Sequence, residues 1–326
     1  MQFIRNFRNI NKSDVAIAGG KGASLGEMTT VGIAVPPGFV LLSSAFENFL
    51  EITDLDVEID AILRTVNHQE MHTVENASEK IQALILNKEI PKDMVVEIKQ
   101  SFKELDAKFV AVRSSATAED SASAAWAGQL DTYLNTTENN LLENIRKCWA
   151  SLFTPRAIFY RFETHLRQGS GGQEGLHKDK ISVAVVIQTM IQSEMSGVAF
   201  SVHPVTEDRN QMIIEAGYGL GEAIVSGSVT PDSYVITKQP REIFDINVST
   251  QTKGLFRDPA GGNEWQDILE PKASAQVLNQ EQILELAEMV LKIENHYGFP
   301  CDVEWAFKNG KFYITQSRAI TTLKAK

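Results

Sequence analysis

Residues 301–320 read CDVEWAFKNGKFYITQSRAI, two runs of alternating apolar and polar residues on either side of Asn309-Gly310. Few structures suit such a stretch. Period-2 alternation makes each run a strand, and Asn followed by Gly tolerates the positive φ that a tight hairpin turn requires. Val303, Trp305 and Phe307 then share one side of the first strand while Asp302 and Glu304 share the other, and Gln316 and Arg318 share one side of the second. Register decides whether these polar groups meet. A two-residue Asn309-Gly310 turn sets Glu304 against Thr315 and puts Gln316 on the opposite face, unless a β-bulge restores the pairing. A three-residue Lys308-Asn309-Gly310 loop, with Gly310 left-handed, sets Asp302 against Gln316 and lets all four polar groups converge. The competing reading is a hairpin whose polar face is simply solvated, so other segments must decide.

Composition excludes several functions. The 326-residue chain carries a net charge of −11 and has no Lys/Arg-rich block of the kind that tracks a nucleic acid backbone or an anionic membrane. Cys148 and Cys301 are the only cysteines, far apart and in no metal-ligand spacing, so neither a disulfide framework nor a zinc site is expected. His68, His72, His165, His177, His203 and His296 form no HxxxH or HxH pattern and read as structural or surface groups. MQFIRNFRNINKSD lacks the apolar core of a secretory signal, and no run approaches the length of apolar chain needed to span a bilayer. A cytoplasmic protein is the expectation.

Along the chain, GGKGASLGEM at 19–28 precedes a Pro-Pro-Gly turn and a short strand. Residues 51–105 have helical periodicity, and KFVAVRSS at 108–115 reads as a buried strand entering a small-residue loop. Two helices split near Pro155 are expected over 138–167. RQGSGGQEG, 167–175, has the composition of a surface loop, hinge or linker. Strand-like runs follow at ISVAVVIQTMI, SGVAFSV, QMIIEAGYG and DSYVIT, then a helix at 279–296 and the hairpin. This order points to a mixed α/β or α+β chain with two lobes, 1–178 and 179–326.

Four segments bear on chemistry. Lys21 sits among glycines before a helix, where backbone N–H groups and a mobile ammonium suit a polyphosphate; Gly22 occupies the position at which a Walker A loop places Ser or Thr. Taken alone, such a loop is more often a turn. Arg113 ends a buried strand ahead of SSATAEDSASAAWAGQ, whose small side chains allow close backbone approach to a ligand, and an arginine leaving a core strand is costly without a fixed partner. Pairing with Glu119 or Asp120 is the structural alternative. EAGYGLGEAIVSG lacks the full dinucleotide fingerprint, and VVIQTMI reads as core with Gln188 standing out. Together these signals share one chemistry, cationic and amide donors for phosphates with an acidic pair for the accompanying magnesium.

GGKGASLGEM, GIAVPPGF, VRSSATAEDSASAAWAGQLDTYLN, SGVAFSVHPVT, GYGLGEAIVSGSVTPD and DVEWAF…YITQSRAI resemble, in this order and over nearly the whole chain, the ATP-binding N-terminal region of the phosphoenolpyruvate synthase family, which includes pyruvate phosphate dikinase and rifampicin phosphotransferase. The resemblance implies an ATP-grasp-like two-lobed fold with ATP held between the lobes. It implies transfer of the β-phosphoryl group to a histidine on a swivelling domain, leaving AMP and phosphate. Lys21 and Arg113 then look like phosphate clamps, and Arg318 like a further catalytic cation near the transferred group. Glu304 and Gln316 look like Mg²⁺ and phosphate ligands with Asp302 in support. Gly128 and Gln129 belong to a phosphate-covering loop, and Gln188, Met190 and Ile191 to a hinge at the adenine.

The departures matter. No Thr-Ser-His stretch occurs, so a phosphohistidine domain would act in cis from further chain or in trans as a partner. Two alternatives remain open: a rifampicin-type antibiotic phosphotransferase, which HPVT and GLGEAIVSGSVTPD resemble slightly more, and a non-catalytic nucleotide sensor. On this resemblance the hairpin needs the three-residue loop.

Overall fold

A computed structural model of the chain describes residues 2–117, 131–167, 182–259 and 261–323. These residues divide into two units, Met1–Gly26 with Pro37–Thr189, and Glu27–Pro36 with Met190–Lys326. Each is built on its own antiparallel sheet, so the class is α+β.

The first unit contains β1 (Ile4–Asn6), β2 (Gly38–Leu41), β3 (Val110–Ala116), β4 (Thr132–Thr136) and β5 (Val183–Thr189), in the order β1-β2-β5-β3-β4. The sequence reading counted β5 with the C-terminal lobe; its hydrogen bonds run to β2 and β3. Every residue of β3 is buried. Val110, Val112, Val183, Val185 and Ile187 share a hydrophobic core with helices α2 (Ser43–Ile52), α3 (Leu55–Leu63), α4 (Met71–Asn87), α5 (Lys92–Glu104), α6 (Leu141–Ala150) and α7 (Pro155–Arg167). Trp149 of α6 anchors that core, stacked on Phe49 with ring centroids 4.8 Å apart. Pro155 opens α7, where a helix has no use for its missing N–H.

Because β3 and β5 alternate, burying the valines of one face leaves Arg113, Ser115 and Gln188 on the other.

The second unit holds β6 (Met195–Phe200), β7 (Gln211–Tyr218), β8 (Asp232–Thr237), β9 (Glu242–Asn247), β12 (Cys301–Lys308) and β13 (Lys311–Ala319) in the order β13-β12-β6-β7-β8-β9. A separate two-stranded ribbon, β10 (Lys253–Arg257) with β11 (Asn263–Asp267), meets the end of β7 through a bridge between Leu255 and Gly219. Helix α8 (Gln280–Tyr297) follows a reciprocal cap between Asn279 and Gln282 and stops at Gly298, whose φ of 76° ends the helix without strain. Among the described residues no helix is long and apolar enough to cross a membrane.

Asp232 is the polar anchor of this unit. Fully buried, it accepts from the Tyr234 hydroxyl at 2.8 Å, from the backbone N–H of Val277 at 2.8 Å and of Ser249 at 3.0 Å, and from Gln251 Nε2 at 3.3 Å. Asp232→Ala strips all these donors of their acceptor and is expected to lower stability by about 3 kcal/mol, read as a fall in the urea midpoint.

Cys148 and Cys301 are buried free thiols, each pushed up to about 12, chiefly by burial. Both keep their protons in the fold and lose them from the unfolded chain above its ordinary value of 9.0. Their contribution to stability is therefore intact below pH 9.0 and declines as pH rises from there toward about 12. The folded chain is expected to resist iodoacetamide at neutral pH and to alkylate fully in denaturant.

Candidate functional site

In the first unit the glycine-rich segment forms part of helix α1 (Val15–Thr30), and the helix is broken at Gly19, whose φ of 67° and ψ of 169° are not helical. Lys21 lies in the turn that restarts after the break. A Cβ at Gly19 would sit 2.2 Å from Ser115 Oγ, so only glycine permits this approach to β3. Arg113, two residues before Ser115 on the same face, is 8% exposed and donates from Nη1 to Gln188 Oε1 at 3.3 Å. The charge of Lys21 is felt at the Cys148 thiol, where it acts weakly against the upward effect of burial. One face of this sheet thus gathers the buried Arg113 guanidinium, the Gln188 amide and the lysine-bearing turn.

In the second unit the hairpin resolves the register. Lys308 pairs with Lys311 around a two-residue turn, with φ of 50° at Asn309 and 73° at Gly310, so the three-residue loop expected on the resemblance does not form. Trp305 pairs with Ile314, but Glu304 pairs with Gln316 and Asp302 with Arg318. Thr315 is the extra residue of a bulge on β13. The physical reason lies on the other side of β12, which runs in unbroken register against β6 from Asp302 to Phe307. With β12 held there, the irregularity falls on the edge strand, where a bulge costs least pairing. The outcome is a polar row: Gln316 Nε2 donates to Glu304 Oε1 at 3.0 Å, and Arg318 Nε and Nη2 each lie 2.8 Å from Asp302 Oδ2.

Sheet register adds a residue that the sequence reading missed. Glu304 pairs with Val198, and Val198 with Glu215 of β7, so Glu215 shares the face of Glu304 two strands away. Burial, with the Asp302 carboxylate second, pushes the Glu215 carboxyl up. Its signal was a lone acid inside the apolar run QMIIEAGY. His296, read as structural or surface, contacts the buried Glu27 with Nε2 and Oε1 2.6 Å apart. Met190, with Leu220, Ala223 and Leu255, forms a small apolar cluster, and Ile191 follows it, half-buried. Gly128 and Gln129 lie outside the described residues, as do Glu119, Asp120 and the 169–175 stretch.

Comparison with known proteins places this α+β chain among nucleotide-binding domains. The chain matches, over residues 15–326, the family model described as pyruvate phosphate dikinase, AMP/ATP-binding domain, and belongs to that family. It is 43% identical to the probable phosphoenolpyruvate synthase of Methanocaldococcus jannaschii, over 99% of this chain and 27% of that protein. With the phosphoenolpyruvate synthase of Pyrococcus furiosus it shares 38% identity over 99% of this chain and 44% of that protein. The rifampicin phosphotransferase of Bacillus subtilis is 38% identical over 98% of this chain and 36% of its own length. The chain therefore spans between 27% and 44% of these relatives.

Proposed function

We propose that this chain is the ATP-binding, phosphoryl-donating part of a phosphoenolpyruvate synthase-like phosphotransferase, passing the β-phosphoryl group of ATP to a histidine on a carrier domain and leaving AMP and phosphate. The observation that carries the proposal is the bulged hairpin, which sets Glu304 opposite Gln316 and Asp302 opposite Arg318 although the turn has only two residues.

Phosphoryl transfer asks little covalent chemistry of a protein; it asks that a polyanion be held in line and its charge offset. Lys21 and Arg113 bind the phosphates, Arg113 with a planar fork already held by Gln188. Arg318, bonded to Asp302, serves the transferred group. Gln188, Met190 and Ile191 meet the adenine, and Gly128 with Gln129 covers the phosphates.

The donor set on the hairpin fits magnesium. Carboxylate and amide oxygens are hard ligands, and Mg²⁺ characteristically takes one or two carboxylates and completes its shell with water and phosphate. Glu304 and Gln316 would hold it with Asp302 in support, and its chemistry there would be to offset phosphate charge.

Calorimetric titration with ATP, with and without Mg²⁺, tests this reading. Magnesium-dependent binding supports it; no binding at millimolar ATP rejects it. A matched titration with AMP separates recognition of the adenosine from recognition of the outer phosphates. Similarity to rifampicin phosphotransferase does not alter the proposal, since the same donor half would serve either acceptor.

A further inference from the structure

The break in α1 at Gly19 is filled by a side chain from another element. Ser115 of β3 is wholly buried; its hydroxyl donates to the Ala18 carbonyl at 3.0 Å and accepts from the Gly22 backbone N–H at 3.2 Å. Ala18 and Gly22 are four residues apart, the spacing of one helical hydrogen bond, and the hydroxyl bridges that interval. Gly19 makes room for it by adopting a left-handed φ and by lacking a Cβ. Lys21 lies within the bridged turn, and Arg113 lies two residues from Ser115 on the same face of the same strand.

We infer that Ser115 is a positioning residue: its hydroxyl splices the lysine-bearing turn onto the arginine-bearing strand, and so sets the spacing of the two cations that meet the phosphates. The inference rests on the reading of Lys21 and Arg113 as phosphate contacts. A serine suits the place for stated reasons. It is the smallest side chain that can both donate and accept, and it must do both to satisfy a carbonyl and an N–H at one buried point. Alanine there would leave the Ala18 carbonyl and the Gly22 N–H without this bridge, and the turn would be free to drift from the strand.

The effect should fall on phosphate recognition rather than on adenosine. Binding of ATP and of AMP, each with Mg²⁺, is to be measured by calorimetry for the unaltered chain, Lys21→Ala, Ser115→Ala and Ser115→Cys, alongside urea unfolding. Ser115→Ala is expected to weaken ATP about tenfold or more while leaving AMP within about twofold, the pattern of Lys21→Ala, because misplacing a binding group by a fraction of an ångström is costly only for what it touches. Ser115→Cys, which keeps a weak donor and acceptor, is expected to fall between the two.

Equal losses for ATP and AMP would make Ser115 a general structural residue and overturn the inference. So would a Ser115→Ala chain that binds ATP normally while Lys21→Ala does not, an outcome that leaves the clamp reading standing. If Lys21→Ala itself keeps its preference for ATP over AMP, the clamp reading fails and takes this inference with it. Should Ser115→Ala not fold, Ser115→Cys decides, and failure of both to fold shows a folding determinant instead of a positioning one.

Discussion

Glu304→Gln is expected to abolish the magnesium dependence of ATP binding and to lower phosphoryl transfer to a supplied phosphohistidine domain by on the order of 10²–10³-fold. The substitution is close to isosteric, and an amide at this position can still bond to Gln316 across the hairpin, where the wild-type contact is 3.0 Å. What it removes is one negative charge and one hard anionic ligand. Glu304 is half-buried and its replacement is nearly isosteric, so the urea midpoint should stay close to that of the unaltered chain. Calorimetry with and without Mg²⁺, followed by single-turnover transfer, checks both halves. A variant that binds and transfers in the same magnesium-dependent way would remove Glu304 from the donor site.

A still larger loss is expected from Arg113→Ala, on the order of a thousandfold or more in transfer, in keeping with arginines that offset phosphoryl charge elsewhere. Arg113 is buried on a core strand and already oriented by Gln188 Oε1, so its guanidinium spends little entropy on meeting a phosphate. Arg113→Lys is the sharper test. It keeps the charge and loses the fork, and recovery of most of the activity would mean that charge alone matters there. The alanine variant also withdraws the donor that holds the Gln188 amide, so a weaker grip on AMP should accompany the loss of transfer. Near wild-type transfer by Arg113→Ala would dismiss the residue from the mechanism.

Much of the fold was legible in the sequence because it is set locally. The Asn309-Gly310 turn formed where its φ requirements placed it, Pro155 opened a helix, and the strand runs from SGVAFSV to DSYVIT became neighbours in one sheet. The family was legible as well, since six ordered motifs lie along the chain and the family model covers residues 15–326. Strands β9, β10 and β11 were not foreseen. β9 and β11 bury no residue and β10 buries only Gly254 and Leu255, so none shows the buried-exposed alternation that marks a strand.

The candidate site was legible in its parts and not in its arrangement. Asp302, Glu304, Gln316 and Arg318 could be named from alternation, and Lys21 and Arg113 from their glycine-rich and small-residue surroundings. Their pairing depended on Thr315 being extruded from β13, and that follows from the unbroken register of β12 with β6, a strand a hundred residues away. The Ser115 bridge and the place of Glu215 in the row of Glu304 are of the same kind. By itself the sequence determined which residues could form strands and turns, because propensity and periodicity are properties of neighbours along the chain. Only the tertiary structure decided which of those residues face one another, because a strand's register and a side chain's insertion into a broken helix are settled by hydrogen-bonding partners that sequence distance hides.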